Sequence, residues 1–79
     1  MEVTVKLFGT LPEKYSDYNP EEGLSLSLPD GAAVKDLQEK LGLTESDRCV
    51  TVVNGRVEKR EHVLVDGTAV SIFQLVTGG

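Results

Sequence analysis

Only one stretch of this chain carries a helical period. Val34, Leu37 and Leu41 fall at i, i+3 and i+7, with Lys35, Asp36, Glu39 and Lys40 turned away from them. Most of the remaining apolar residues alternate with polar ones, the period of a strand. Val3, Val5 and Leu7 alternate with Thr4 and Lys6, and Leu24, Leu26 and Leu28 with Ser25 and Ser27. A single amphipathic helix must bury its stripe on another layer, and half-buried strands are the only layer this chain offers. The pattern predicts an α+β domain in which a mixed four- to five-stranded sheet packs on one main helix over residues 32–41. Gly42 is placed to end that helix at positive φ, with Lys40 near the negative end of its dipole. At 79 residues the chain is long enough for one such domain and too short for two.

The other elements follow from turn chemistry. Residues 2–8 and 24–28 read as the first two strands and suggest an antiparallel pair, although a connection this long also permits other pairings. Residues 9–23 between them, with Pro12, Asn19, Pro20, two glycines and five charged side chains, read as a long loop without regular structure. Cys49-Val50-Thr51-Val52-Val53 is a β-branched run leading into Asn54-Gly55, a strong two-residue hairpin signal. The returning segment to Glu61 is so charged that any strand in it is short and exposed. Val63 and Val65 point to one side. Asp66-Gly67 is a further turn, and residues 69–75 form a last strand with Val70 and Ile72 inward.

The composition excludes several kinds of chemistry. Eight Lys and Arg against thirteen Asp and Glu give a formal charge of -5, which disfavours binding to nucleic acid. Cys49 is the only cysteine, so an intrachain disulfide and a cysteine-rich zinc site are both excluded. It reads as a small hydrophobe opening a strand, and His62, the only histidine, as a solvated side chain. Glu13, Asp17, Glu21 and Glu22 do not follow the spacing of a calcium loop, so no metal site is expected. The glycines are scattered turn residues and form no phosphate cradle. No apolar run is long enough to span a membrane, and Met1-Glu2-Val3-Thr4 does not open a leader. The expected location is the cytoplasm.

Gly78-Gly79 is the feature that points to a function. Read as the true terminus, it makes an accessible backbone carboxylate on two residues able to enter a channel too narrow for side chains. Such a carboxylate is a poor electrophile until it is activated, for example as a mixed anhydride with AMP. Residues 1–76 are expected to form the domain and residues 77–79 a flexible reactive tail.

Taken together, Val3-Thr4-Val5-Lys6-Leu7-Phe8-Gly9, Leu28-Pro29-Asp30-Gly31-Ala32, Val53-Asn54-Gly55-Arg56 and the stretch from Val65-Asp66-Gly67-Thr68-Ala69 to Val76-Thr77-Gly78-Gly79 resemble the ubiquitin-like β-grasp sulfur carriers. The likeness is greatest to the small subunits of molybdopterin synthase. It implies that a ubiquitin-activating-type adenylyltransferase uses ATP to adenylate Gly79, and that a sulfurtransferase or persulfide donor converts it to a thiocarboxylate. A larger synthase subunit would then accept the tail, so this chain would bind no cofactor of its own and would not itself be an enzyme. The resemblance also implies partner contacts at Phe8 and Phe73, with Leu75, Val76, Thr77 and Gly78 leading to the reactive Gly79. Alternation is taken to leave open whether the two phenylalanines face the core or a partner. Carriers for thiamine thiazole, cysteine synthesis and tungsten-pterin enzymes share the pattern, and capture of the activated Gly79 by a lysine amine would make the chain a protein modifier.

Overall fold

The computed structural model describes residues 1–44 and 47–75. Five strands and one helix follow in the order β1 (Glu2–Leu7), β2 (Leu24–Ser27), α1 (Val34–Leu41), β3 (Cys49–Val53), β4 (Arg56–Glu58) and β5 (Ala69–Gln74). The sheet order is β2-β1-β5-β3-β4. β1 and β5 run parallel, pairing Val5 with Val70 and Leu7 with Ile72; β2, β3 and β4 join antiparallel to their neighbours. This is the ubiquitin-like β-grasp arrangement that the periodicities and the family resemblance together predict.

One core lies between the sheet and α1. Val3, Val5 and Leu7 of β1, Val70 and Ile72 of β5, and Val34 and Leu37 of α1 are all buried in it. The helix begins at Val34, two residues later than the period suggests. Ala32 and Ala33 are instead held by the segment before β5: Leu64 N–H donates to the Ala32 carbonyl at 2.8 Å, and Ala33 bridges Val63. Alanine at the N-cap offers no side-chain acceptor, so the first helical N–H groups are met from elsewhere. Val34 and Lys35 donate to the carbonyls of His62 and Arg60, both at 2.9 Å, and the Asp36 carboxylate accepts from Ala33 N–H at 2.8 Å. At the other end Gly42 takes φ 77°, as its position predicts. Asn54 and Gly55, at φ 50° and 84°, turn β3 into the short exposed β4.

The loop over residues 9–23 departs from expectation. It holds a 3-10 turn at Leu11–Lys14, and Leu11 is fully buried. Local composition hides this, because one leucine in a polar tract is enough to anchor the segment once the core accepts it. Pro12 suits the first turn, where its missing N–H is not needed. Side chains then tie the loop down at three places. Tyr18 hydroxyl accepts from Leu7 N–H at 2.8 Å, Tyr15 hydroxyl donates to the Leu41 carbonyl at 2.5 Å, and Lys14 Nζ lies 2.6 Å from Asp47 Oδ1. No helix among the described residues is long and apolar enough to cross a membrane. The domain boundary expected after residue 76 lies outside the described residues.

Two stability predictions follow from these contacts. Gly23 sits at φ +74°, and a Cβ there would stand 2.5 Å from the Val5 carbonyl oxygen, whereas Gly31, at φ +85°, has open space. Gly31→Ala should cost about 1 kcal/mol from conformation alone, and Gly23→Ala about 3 kcal/mol or more once β1 has to shift. Urea titration of the two variants checks the difference; equal losses would mean that β1 and the loop do not meet as described. The second concerns the Lys14–Asp47 pair. The lysine and then the backbone N–H of Thr44 hold the Asp47 carboxyl below its ordinary 3.8, and the hydrogen bond to Asp47 raises Lys14 above 10.5. The Asp47 contribution is complete above its unfolded value and disappears as pH falls through the lower folded value. That of Lys14 is complete below 10.5 and disappears as pH rises through the higher folded value. The melting-temperature deficit of Asp47→Asn should therefore be flat across neutral pH and close toward both extremes. A deficit independent of pH would assign it to something other than this pair.

Candidate functional site

Strand alternation settles where the two phenylalanines go. Since Val3, Val5 and Leu7 face the helix, Phe8 faces away from it, and since Val70 and Ile72 are buried, so does Phe73. Phe8 N–H donates to the Ile72 carbonyl at 3.0 Å, which brings the two side chains together across the parallel pair. Their rings stack with centroids 4.5 Å apart and planes 8° from parallel. Each phenylalanine remains 40% exposed. Neither belongs to the core.

The same face is apolar on the neighbouring strands. Val50 lies opposite Phe73 in the β3–β5 register, and Val52 opposite Val57 in β3–β4. Val57 is 70% exposed, and Leu75, one alternation step past Phe73, is 54% exposed. The outer side of the sheet thus presents a band of apolar side chains that is densest where β5 ends. Contiguous exposed apolar side chains of this kind are uncommon on the surface of a monomeric domain. The valines were legible as a signal: Val50, Val52 and Val53 break the alternation expected of a strand with one wet face.

Among the predicted site residues, the structure brings Phe8, Phe73 and Leu75 to one end of one face. Val76, Thr77, Gly78 and Gly79 lie outside the described residues, and so does the expected mobility from Thr77 onward. The root of this segment is well defined. β1 runs parallel to β5 and β3 antiparallel to it, so Gly9-Thr10 after β1 and Arg48 before β3 flank the point where β5 finishes. Thr10 N–H lies 3.4 Å from Gln74 Oε1, and Thr10 hydroxyl donates to the same oxygen. On the other side Leu75 N–H donates to the Arg48 carbonyl at 2.8 Å. Sequence reasoning did not single out Thr10, Arg48 or Gln74, because these contacts join segments far apart in the chain.

Cys49 and His62 do not come together as a pair. Cys49 is partly buried, with Sγ 3.8 Å from the Asp47 carbonyl. Burial, and then the Asp47 carboxylate, push its thiol up, which leaves it protonated and weakly nucleophilic at neutral pH. His62 pairs with Glu58 rather than with Cys49. Among the described residues no group of His, Cys, Asp or Glu side chains could hold a metal ion.

A five-stranded mixed sheet on one helix, with β1 and β5 parallel at its centre, is the ubiquitin-like fold. The chain belongs to the ThiS family, which it matches over residues 5–79. Among solved structures it is similar to a protein described as molybdopterin converting factor, subunit 1, from Pyrococcus furiosus. That likeness has 26% identity and a TM-score of 0.77, and covers 96% of this chain and 99% of the other. It also resembles small archaeal modifier protein 1 from Haloferax volcanii in fold, at 18% identity, 95% and 98% coverage and a TM-score of 0.75. A third similar structure, from Helicobacter pylori, is a complex of subunits 1 and 2 of molybdopterin-converting factor, with 24% identity, full coverage of both chains and a TM-score of 0.62. No curated protein matches the chain.

Stacked rings that are half exposed should contribute to stability through each other more than through the core. Phe8→Ala and Phe73→Ala, combined in a double-mutant cycle measured by urea unfolding, should show a coupling of about 0.5–1.5 kcal/mol. Additive effects would mean that the rings do not stack in solution.

Proposed function

We propose that this chain is a sulfur carrier whose Gly79 carboxylate is activated and converted to a thiocarboxylate, and that its sulfur goes to molybdopterin. The observation that carries this reading is the Phe8–Phe73 stack with Leu75, an exposed apolar platform at the root of a segment that ends in Gly78-Gly79. Membership of the ThiS family and the likeness to molybdopterin converting factor subunit 1 support it.

The chemistry divides between this chain and its partners. A ubiquitin-activating-type adenylyltransferase joins the Gly79 carboxylate to AMP, with pyrophosphate leaving. The terminal sulfur of a persulfide then attacks the acyl carbon and AMP departs. A second thiol reduces the resulting acyl disulfide and releases the thiocarboxylate. Being anionic at neutral pH, that sulfur is a nucleophile without further help. The larger synthase subunit would accept the tail and supply the catalytic side chains, as a substrate protein of this kind requires. The Helicobacter pylori complex, in which the corresponding subunit is joined to subunit 2, supports such a partner. ATP and reduced thiols both suit the cytoplasm, where we place the protein. The domain ends at residue 76, and residues 77–79 are the reactive tail.

A second reading has a specific basis in the shared fold of small archaeal modifier protein 1. In it the same activated Gly79 is captured by a lysine amine.

Intact mass of the protein from its native host, measured without reductant or acid, separates the two. The carrier should show a gain of about 16 Da at Gly79, oxygen replaced by sulfur. Heavier species joined through Gly79 to lysines, without that gain, would replace the carrier by the modifier. Deletion of Gly78-Gly79 should abolish function in both readings, and unimpaired function after deletion would overturn both.

A further inference from the structure

The strand that carries the tail is held from both sides at its last two described residues. From the β1 side, Thr10 N–H and hydroxyl both reach Gln74 Oε1. Because a backbone N–H can only donate, the Gln74 side chain must present its oxygen there. Gly9 makes the approach possible: it takes φ +72°, and a Cβ on it would already lie 3.3 Å from Gln74 Cβ. From the β3 side, the Arg48 carbonyl accepts from Leu75 N–H at 2.8 Å. Arg48 adopts φ +50°, a conformation that L side chains rarely take. Immediately before it, the Asp47 carboxylate binds Thr44 N–H at 2.7 Å and Lys14 Nζ at 2.6 Å. The loop containing Lys14 is the one that supplies Thr10. Both holds on β5 therefore trace back to the segment that links β1 to β2.

We propose that Thr10 and Gln74 are positioning residues for the tail. With the Arg48 carbonyl they clamp the root of β5, so that the chain leaves the body at a fixed point beside the Phe8–Phe73 pair. This rests on the carrier reading. Four residues follow Leu75 and reach at most about 14 Å. Releasing Gln74 and Leu75 would lengthen the stretch between the last clamped residue and the Gly79 carboxylate by two residues. The carboxylate would then be more dilute at any point a partner defines relative to the apolar platform, and two more residues would have to be ordered on docking. Such a loss falls on binding and not on the chemical step. Half-saturation for the activating enzyme should therefore rise while the maximal rate holds.

Gln74→Leu removes the acceptor, Thr10→Val removes the hydroxyl, and Gln74→Glu keeps an oxygen for Thr10 to donate to. Two readouts on each full-length variant test the proposal. The first is hydrogen exchange at the Leu75 amide, which needs no partner. It should speed up about tenfold or more in Gln74→Leu, less in Thr10→Val, and stay near wild type in Gln74→Glu, with the exchange of Val5 and Ile72 unchanged in all three. The second is ATP–pyrophosphate exchange with the adenylyltransferase of the same organism. Half-saturation should rise about tenfold in Gln74→Leu at unchanged maximal rate and be restored in Gln74→Glu. Unaltered Leu75 exchange in Gln74→Leu overturns the clamp. Faster Leu75 exchange with unaltered half-saturation overturns its role in positioning and leaves the carrier reading in place. A fall in maximal rate alone, with faster exchange at Val5 and Ile72, would assign the effect to general loosening of the fold and overturn the proposal as well. Absence of pyrophosphate exchange with the wild-type chain would reject the carrier reading, and the positioning role with it.

Discussion

The parallel pairing of β1 with β5 is the constraint on which the rest of the molecule depends. It joins the first and last strands at the centre of the sheet and buries Val3, Val5, Leu7, Val70 and Ile72 in one layer beneath α1. A parallel pair cannot be closed by a tight turn, so everything between residues 7 and 69 forms the crossover. That crossover contains the helix which covers the pair. The chain adds β2 to one side and β3–β4 to the other, and five strands then suffice to give both central strands two neighbours.

The same pairing determines where the two phenylalanines meet. Two parallel strands finish at the same edge, so the residue after β1 and the residues that end β5 are neighbours. Phe8 and Phe73 consequently form one platform although they are 65 positions apart, the difference between their residue numbers. An antiparallel arrangement of these strands would have put Phe8 at the far end from the tail. Exposing such a platform carries an aggregation hazard, and the net charge of -5 opposes it by keeping copies of the chain apart.

The sequence was legible where local and global preferences agree. Alternation in residues 2–7, the helical stripe from Val34 to Leu41, and Asn54-Gly55 each describe an element that tertiary packing leaves intact. The facing of Phe8 and Phe73 was equally available, since buried Val3, Val5 and Leu7 leave Phe8 no side but the outer one. Elsewhere long-range contacts overrode what composition suggested. Leu11 gives no periodic signal, yet it is fully buried and converts an apparently shapeless loop into a strap. The helix starts late because the carbonyls of Arg60 and His62, more than twenty residues on, supply the capping that Ala33 cannot. The contacts of Thr10 with Gln74 and of Arg48 with Leu75 were invisible for the same reason.

Separating a rigid platform from a small-residue tail has an energetic logic. On the carrier reading, fixing the residues from Val76 to Gly79 in a partner's channel costs about 1–2 kcal/mol each in backbone entropy, or roughly 4–8 kcal/mol in all. Two glycines bring almost no burial to offset that cost. The offset has to come from the body, where burying what remains exposed of Phe8, Phe73, Leu75 and Val57 is worth about 0.6–2 kcal/mol apiece. The two quantities are comparable, so docking of the platform can drive the tail into place without making the complex too tight to release. A carrier that must visit an activating enzyme, a sulfur donor and an acceptor in turn needs that balance. A longer or stickier tail would upset it from one side, and a platform buried in the core would upset it from the other.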